Sequence, residues 1–425
     1  VIEMAKEPIR SVKGTQDILP NQTWRWQALE TALHDHFKHY GYREIRTPAF
    51  EKSELFARGV GKDTDIVSKE MYSWKDQGET SLTLKPELTA PVVRAYIQHN
   101  MAGLAPVTRL YYIDALFRRE RPQKGRYRQF HQFGAEVFGS QHPEADVEII
   151  ISAYEFFKGI GLKDLQLRIN SIGSAESKAA YRDELIKYLE PYFDELSEVS
   201  QSRFHRNPLR ILDTKIPHEI KILKDSPQTT EFLTDSDREH FHEVIGLLDL
   251  LEIPYSIDHR MVRGLDYYTH TTFEITSPAL GAQDALCGGG RYDDLVETLG
   301  GKPTPAVGFA AGIERTLLAL KFVSEESDPS QARVTLITLD NSTRGLCFSI
   351  AAKLRAAKIS TEIDLLRRSL KAQMREANRS RARFAVIIGQ SEIDSGLAQV
   401  KNLKTGEQVP VQIDLLIDHL TGLEF

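Results

Sequence analysis

Apolar positions at Trp26, Leu29, Leu33, Phe37 and Tyr40 recur at intervals of three and four, behind Pro20 and Asn21 and ahead of Gly41, so the chain opens with an amphipathic helix. His34, His36 and His39 fall in that helix, but their spacing turns the rings to different faces, which reads as a solvated flank rather than a ligand set. The stretch GYREIRTPAF (41–50) is extended, because Pro48 cannot continue a helix and biases Thr47 towards the β region. Leu82 to Lys85 read as a short strand ending at Pro86; that proline suits the first turn of a following helix with Val92, Val93, Tyr96 and Ile97 inward. Residues 107–117 and 129–139 are two strand-like runs joined by a basic loop, the pattern of a long antiparallel hairpin. From about Ser174 to about Leu251 the chain turns helical and polar, as an inserted subdomain would. Strand character returns in TTFEIT (271–276), and TPAVGFAAGIERTLLAL (304–320) reads as strand, glycine turn and helix.

The polar tract SEESDPSQ (324–331) is the best linker, separating a first domain over 1–323, with its insertion at about 174–251, from a second over 332–425. In the second, VTLITL, SIAAKLRAAK, STEIDL, a basic helix near 369–382 and FAVIIG alternate strand and helix, as a compact α/β domain does. A length of 425 residues fits more than one core, and 41% hydrophobic with 27% charged residues is the balance of a water-soluble protein with no bilayer-length apolar run. The first residues carry no basic stretch followed by an apolar core, so no secretory signal is read. Only Cys287 and Cys347 occur, which excludes a disulfide framework and a four-cysteine zinc site and makes a cytoplasmic location the default. The formal net charge of -6 argues against a polyanion partner until it is divided: residues 331–425 hold 14 Lys/Arg against 10 Asp/Glu. A basic end on an acidic chain fits a local nucleic-acid contact and fits a solvated basic face equally well.

Alternation along 130–137 puts Phe130, Gln132, Gly134 and Glu136 on one face and His131, Phe133, Ala135 and Val137 on the other. An aromatic, an amide, a glycine and a carboxylate make a poor core; they suit either a pocket floor or an exposed sheet face. The adjoining FRRERPQKGRYRQF (117–130) sets six Lys/Arg around Glu120, the chemistry of a phosphate site or of a solvated basic turn. Two glycine-rich stretches are decoys. GVGKDT (59–64) has Phe56 where a P-loop needs its first glycine and Asp63 where it needs Ser or Thr, and CGGGRYDDL (287–295) has no dinucleotide spacing and reads instead as a close backbone approach to a ligand.

In their order, GYREIRTPAF, FRRERPQKGRYRQF and AVGFAAGIERT resemble the three motifs of class II aminoacyl-tRNA synthetases, and VRGLDYYT (262–269) with GGGRYDDL (288–295) narrows the resemblance to the histidyl-tRNA synthetase family. It runs from about Lys13 to the C-terminus. Leu88 departs from the pattern, since members commonly carry glycine in the LKPELTA peptide, and this bears on local packing. The resemblance implies an α/β (α+β) fold: an antiparallel-sheet catalytic domain with a helical insertion, followed by an α/β anticodon-binding domain. It implies ATP with Mg²⁺ and no prosthetic group, L-histidine and tRNA(His) as substrates, a homodimer built on the first motif, no membrane and no bound metal. Its implied roles are Arg118 on the α-phosphate, Glu120 on the adenine amino group, Phe130 stacked on adenine, Arg126 and Arg315 on the outer phosphates, and Arg263 on the reacting carboxylate and α-phosphate. Glu87, Thr89 and Gln132 would hold the α-amino group, with Glu136, Tyr268 and Tyr292 at the imidazole. Gln123, Arg367, Arg368, Lys371 and Arg375 are the tRNA candidates. Taken without the family, Arg263 reads as an anchor for the turn before Gly264.

Three rivals follow. A regulatory paralogue that serves an ATP phosphoribosyltransferase would keep the fold but lose the anticodon domain and part of the arginine set, which this chain retains in Arg118, Arg263 and Arg315. Another class II synthetase would not need Glu136 with VRGLDYY. A plain RNA-binding module would not need the Phe130 to Glu136 face.

Overall fold

The apolar stripe of the first helix seeds the main core of the computed structural model, which describes residues 8–61, 64–120, 126–281, 284–320 and 333–423. Helix α1 (Pro20–His39) starts on a proline whose missing N–H costs nothing in a first turn, and it buries Trp24, Trp26, Leu29, Leu33 and Phe37. Tyr40 lies just beyond its end. His34 and His36 are half-buried: the Nδ1 of His34 is 2.8 Å from the Tyr111 hydroxyl and the Nε2 of His36 is 3.1 Å from that of Ser152. They therefore lock the helix to the core edge, and of the three only His39 is solvated. The chain divides into two compact units, Val1–Glu325 and Glu326–Phe425.

In the first unit the chain continues through β1 (Arg43–Glu44), β2 (Phe50–Lys52), α2 (Ser53–Gly59), β3 (Tyr72–Lys75), β4 (Ser81–Leu84), α3 (Thr89–Gln98), β5 (Thr108–Phe117), β6 (Gln129–Phe138), α4 (Pro143–Gly159) and β7 (Gln166–Ser171). Helices α5 (Ala175–Leu189), α6 (Glu198–Arg206), α7 (Pro217–Leu223) and α8 (Asp235–Leu250) follow. The unit closes with β8 (Tyr255–Ile257), β9 (Thr269–Thr276), β10 (Ala285–Arg291), α9 (Leu295–Thr298), β11 (Ala306–Gly312) and α10 (Ile313–Leu320). Pro86 is not in the first turn of α3. Leu84 ends the strand, Pro86 to Leu88 form a corner, and the helix begins at Thr89, where the Glu87 carboxylate accepts the otherwise orphaned N–H groups of Thr89 (2.8 Å) and Ala90 (3.0 Å).

The large sheet has the order β1-β5-β6-β11-β10-β9-β7-β8, antiparallel except where β1 joins β5 and β8 joins β7. The β5/β6 hairpin pairs from Thr108↔Phe138 to Phe117↔Gln129. Its two faces separate as alternation requires: Phe133, Ala135 and Val137 enter the main core with α1 and α4, and Gln132 and Glu136 line a cavity on the opposite side. A smaller sheet, β2-β4-β3, stands apart. In the helical stretch, Tyr181, Leu185, Leu189, Ile211 and Leu223 of α5 to α7 and their turns make a core of their own, whereas Phe241, Val244 and Leu248 of α8 return to the main core.

The second unit runs β12 (Val334–Thr338), α11 (Arg344–Ala356), β13 (Thr361–Ile363), α12 (Leu370–Arg379), β14 (Phe384–Ile388), α13 (Gln390–Ser395), β15 (Leu397–Asn402), β16 (Gln408–Gln412) and α14 (Leu416–Thr421). Its sheet, β13-β12-β14-β15-β16, is parallel over the first three strands and antiparallel over the last two, around Leu336, Cys347, Leu354 and Val386. The linker read at 324–331 lies outside the described residues. Among the described residues no helix is long and apolar enough to cross a membrane.

Candidate active site

Glu136 is the deepest charged group of a cavity of about 320 Å³ lined also by Glu87, Thr89, Gln132, Tyr267, Tyr268 and Tyr292. Its Oε1 accepts the hydroxyls of Thr89 (2.9 Å) and Tyr112 (3.0 Å), and its Oε2 accepts that of Tyr292 (2.5 Å). The neighbouring strand makes way for it: a Cβ on Gly308 would stand 1.6 Å from Oε2. Burial pushes the Glu136 carboxyl up to about 8, although the hydrogen bonds from Tyr292, Thr89 and Tyr112 pull the other way. Burial also raises Glu87, to about 7, against the backbone N–H groups of Ala90 and Thr89. Tyr267 meets Tyr292 edge-on with centroids 5.6 Å apart, so part of the cavity wall is aromatic.

A second cavity, of about 590 Å³, adjoins the first through Arg118, Glu120, Gln132, Arg263 and Gly288, which line both. Its remaining walls include Arg126, Phe130, Arg168, Glu274, Asp284 and Arg315. Arg118 is fixed by its Nε bond to the Pro86 carbonyl (2.8 Å), and its guanidinium lies 5.2 Å from the Phe130 centroid. Glu120 sits between Arg118 (3.9 Å) and Arg126 (3.5 Å), and the Nε of Arg315 donates to the Ala285 carbonyl at 2.9 Å. Arg263 donates to Glu274 at 2.9 Å, and its guanidinium fills the space that a side chain at Gly288 would occupy, since a Cβ there would be 1.9 Å away. The glycine-rich run is thus mostly strand β10, and the close approach at Gly288 is made by Arg263. That arginine does more than anchor a turn: it stands between the two cavities.

These residues come together from strands β5, β6, β7, β9, β10 and β11, from the loops beside them and from the first turns of α3 and α10, and the cavities hold every site residue anticipated in the first unit except Gln123, which lies outside the described residues. Leu88 is buried with Val92, Tyr96 and Tyr112, so its departure from the common pattern is absorbed by local packing. Tyr112 was not anticipated, because an aromatic on a hydrophobic strand reads as core; nor were Arg168, which reaches the larger cavity from β7, and Asp65, Glu70, Arg210 and Lys215, which reach the cavities from turns and short helices distant in sequence. In the second unit Arg367, Lys371 and Arg375 are exposed. Arg368 is committed instead to Asp364 (2.5 Å) and Glu376 (3.3 Å), an ion-pair cluster that fixes the start of α12.

Residues 14–316 match the family model described as histidyl-tRNA synthetase, and residues 333–423 match that of an anticodon binding domain. A histidine–tRNA ligase of Chloroherpeton thalassium is 48% identical over 404 residues, 94% of this chain and 95% of its own. The crystal structure of the apo Staphylococcus aureus histidyl-tRNA synthetase superposes with a TM-score of 0.82 at 37% identity, covering 97% of this chain and all (100%) of its own. A Bacillus halodurans protein described as an ATP phosphoribosyltransferase regulatory subunit/histidyl-tRNA synthetase shares the fold at 23% identity, with a TM-score of 0.65 over 90% of this chain and 99% of its own.

Proposed function

The chain belongs to the histidyl-tRNA synthetase family, and from that premise we propose that the smaller cavity takes histidine, the larger takes ATP, and Arg263 and Arg118 span the reacting atoms between them. The activity is that of an aminoacyl-tRNA ligase: it joins histidine to tRNA with the use of ATP. The observation that carries the assignment of the cavities is Glu136, a buried carboxylate ringed by three hydroxyls at the closed end of the small cavity. An imidazole N–H finds an acceptor in that carboxylate beside the three hydroxyls already donating to it, whereas an apolar amino-acid side chain would make no hydrogen bond there and forgo that binding energy. Glu87, Thr89 and Gln132 then face the α-amino group, and Tyr268 and Tyr292 flank the ring.

In the proposed first step a histidine carboxylate oxygen attacks the α-phosphorus in line, the bond from that phosphorus to the bridging oxygen breaks, and pyrophosphate leaves with the electron pair. Arg118 and Arg263 stabilise the charge that develops on the α-phosphoryl oxygens, and fixed positioning supplies most of the acceleration. Phe130 and Glu120 hold the adenine, with Arg126 and Arg315 on the outer phosphates. Mg²⁺ enters as part of the MgATP substrate; the carboxylates on the cavity wall are Glu120, Asp213, Glu274, Asp284 and Glu314, most of them already paired with protein groups. In the second step a hydroxyl at the 3′ end of tRNA attacks the histidyl carbonyl carbon, the bond from that carbon to the phosphate oxygen breaks and AMP leaves with the electron pair, while the second unit binds the anticodon. Dimerisation through the first motif belongs to the same proposal; Phe50 and Trp74, exposed and in edge contact at 6.1 Å on the small sheet, are apolar surface that a second subunit would cover. Light scattering of the purified chain tests it, with a dimer mass expected.

The decisive experiment on the cavities is amino-acid-dependent ATP–pyrophosphate exchange with all twenty amino acids, followed by charging of tRNA. Exchange with histidine alone, and its loss in Glu136→Ala, is the expected result; histidine exchange that survives in Glu136→Ala removes the small cavity as the histidine site.

A further inference from the structure

Two cations that no motif supplies reach the wall of the larger cavity. Arg168 stands on β7, and Lys215 lies in the segment between α6 and α7, within the helical stretch. The same pair, with Arg260 and Arg263, also lines a further cavity of about 250 Å³ that continues the larger one beneath the helices. Lys215 is exposed, yet its segment is anchored. Glu219, fully buried in α7, accepts the backbone N–H of Ser197 (2.7 Å), the hydroxyl of Ser200 (3.0 Å) and the hydroxyl of Thr214. Burial alone would raise the Glu219 carboxyl; the bonds from Thr214, Ser197 and Ser200 outweigh it and hold the group below its ordinary range, so the anchor is an ionised one. With Thr214 fixed, Asp213 and Lys215 on either side of it are presented to both cavities.

The nearby acids are largely engaged with protein groups. Glu274 accepts from Arg263 (2.9 Å), Asp284 from Arg168 (3.3 Å), and Asp258 from the backbone N–H of Arg260 (3.1 Å). The Nε of Arg263 is buried and has no hydrogen-bond partner among the described residues. Arg168 and Arg263 each meet one of these acids through one guanidinium nitrogen, so with Lys215, Arg260 and the buried Arg263 Nε the wall keeps donors for a multiply charged anion carrying several acceptor oxygens.

We propose that Lys215 of the helical insertion, together with Arg168, binds the pyrophosphate unit, holding it as the leaving group of adenylate formation and as the attacking substrate of the reverse reaction. The proposal rests on the reading of the larger cavity as the ATP subsite. When the bond between the α-phosphorus and the bridging oxygen breaks, the departing pyrophosphate takes the electron pair and an additional negative charge. A cation displaced from the α-phosphorus towards the insertion is placed to stabilise that charge as it accumulates. The helical insertion is then part of the adenylate-forming site and not only an appendage to it.

The test is the KM for pyrophosphate in histidine-dependent ATP–pyrophosphate exchange, measured for Lys215→Met and Lys215→Arg. Loss of one charge-assisted contact is expected to raise that KM roughly tenfold in Lys215→Met, with recovery to within about twofold in Lys215→Arg and no matching change in the KM for histidine. An unchanged KM for pyrophosphate overturns the proposal, as does an equal rise in the KM for histidine, which would mark a general displacement of the insertion. Arg315→Met, run in parallel, separates this from failure of the underlying reading. If Arg315→Met raises the KM for ATP while Lys215→Met leaves pyrophosphate untouched, only the role of Lys215 falls; if neither variant affects either ligand, the larger cavity is not the ATP subsite.

Discussion

Glu136 and Glu87 are ionisable groups held in a folded environment that favours their neutral forms, at about 8 and about 7. For a carboxyl whose value is raised by folding, the stabilising contribution is complete below the ordinary glutamate value and is lost as pH rises through the folded one. The unliganded chain should therefore lose stability between pH 5 and pH 8 on account of these two groups. Glu136→Gln, neutral at every pH, should remove its share of that slope, so that relative to the parent the variant gains on the order of 2–4 kcal/mol between pH 5 and pH 8 in urea unfolding. A variant that instead loses ground at pH 8 would show that Glu136 is ionised without cost. Histidine, by donating to the carboxylate, should draw the proton off, and calorimetry near pH 7.5 in buffers of different ionisation enthalpy is expected to show proton release on binding. The Phe130 to Glu136 face was legible only in part: alternation sorts residues by face, but a carboxylate there suits an exposed sheet face as well as a pocket floor, and only the burial of Glu136 decides between them. Tyr112 was not legible: a tyrosine flanked by Tyr111 and Ile113 looks like core until the Glu136 carboxylate is found 3.0 Å from its hydroxyl. Tyr112→Phe removes one of the two donors to Oε1, and we predict a rise of roughly tenfold in the KM for histidine with the KM for ATP unmoved.

Between elements, the geometry of the site depends on how strands are pinned to the helices behind them. Arg291 of β10 is fully buried; it donates through Nε (3.1 Å) and Nη2 (2.6 Å) to Asp146 of α4, and through Nη1 to Asp293 (3.0 Å). Burial of Asp146 opposes its ionisation, but the His240 imidazole 3.4 Å away and the charge of Arg291 prevail and hold it at about 2. A lowered carboxyl contributes stability above the ordinary aspartate value and loses it only as pH falls through about 2, so this pair persists across the working range. Asp146→Asn leaves the buried guanidinium with Asp293 as its one remaining carboxylate partner among the described residues and is expected to cost about 3–5 kcal/mol in chemical denaturation at pH 7; a loss under about 1 kcal/mol would show that Asp293 or water makes good the lost charge. None of this could be read from the chain, since Asp146 and Arg291 are distant in sequence and a glycine-rich RYDD peptide suggests a ligand loop. Elements with a strong period were legible: α1 from its stripe, the β5/β6 hairpin from its alternation, and β11 with α10 from the glycine turn. The start of α3 was misjudged because Pro86 suits a first turn, while the capping carboxylate of Glu87 takes effect two residues later. Strands β15 and β16 escaped notice because they bury little beyond Ala398, Val400 and Val411, too few positions for a clear alternation.

On the proposed function the two units divide the chemistry, a division that the charge along the chain suggested while leaving a solvated basic face equally open. The smaller unit has its own hydrophobic core and carries the basic surface, whereas both described cavities of the proposed active site belong to the larger. Amino-acid activation and tRNA capture should therefore respond to different substitutions. Within the basic stretch the structure separates cations by commitment: Arg368 is spent on Asp364 and Glu376, and Arg379 on Glu376, while Arg367, Lys371 and Arg375 are exposed. Arg367 also holds a left-handed backbone (φ +54°), which turns the chain sharply ahead of α12. If these three contact phosphates, replacing them together with alanine raises the KM for tRNA and flattens its salt dependence, lowering the slope of log K against log salt by about 2–3, since each neutralised phosphate contributes somewhat under one unit. The exchange reaction, which needs no tRNA, reports whether the first unit is intact in the same preparation. Arg368→Ala should behave differently: it breaks the ion-pair cluster at the start of α12, so its effect on tRNA binding should come with a lowered melting temperature of the second unit rather than with a changed salt slope. A salt slope unchanged in the triple variant would move the tRNA contact to another face of the unit, and a changed slope in Arg368→Ala alone would mean that the cluster opens to meet phosphate.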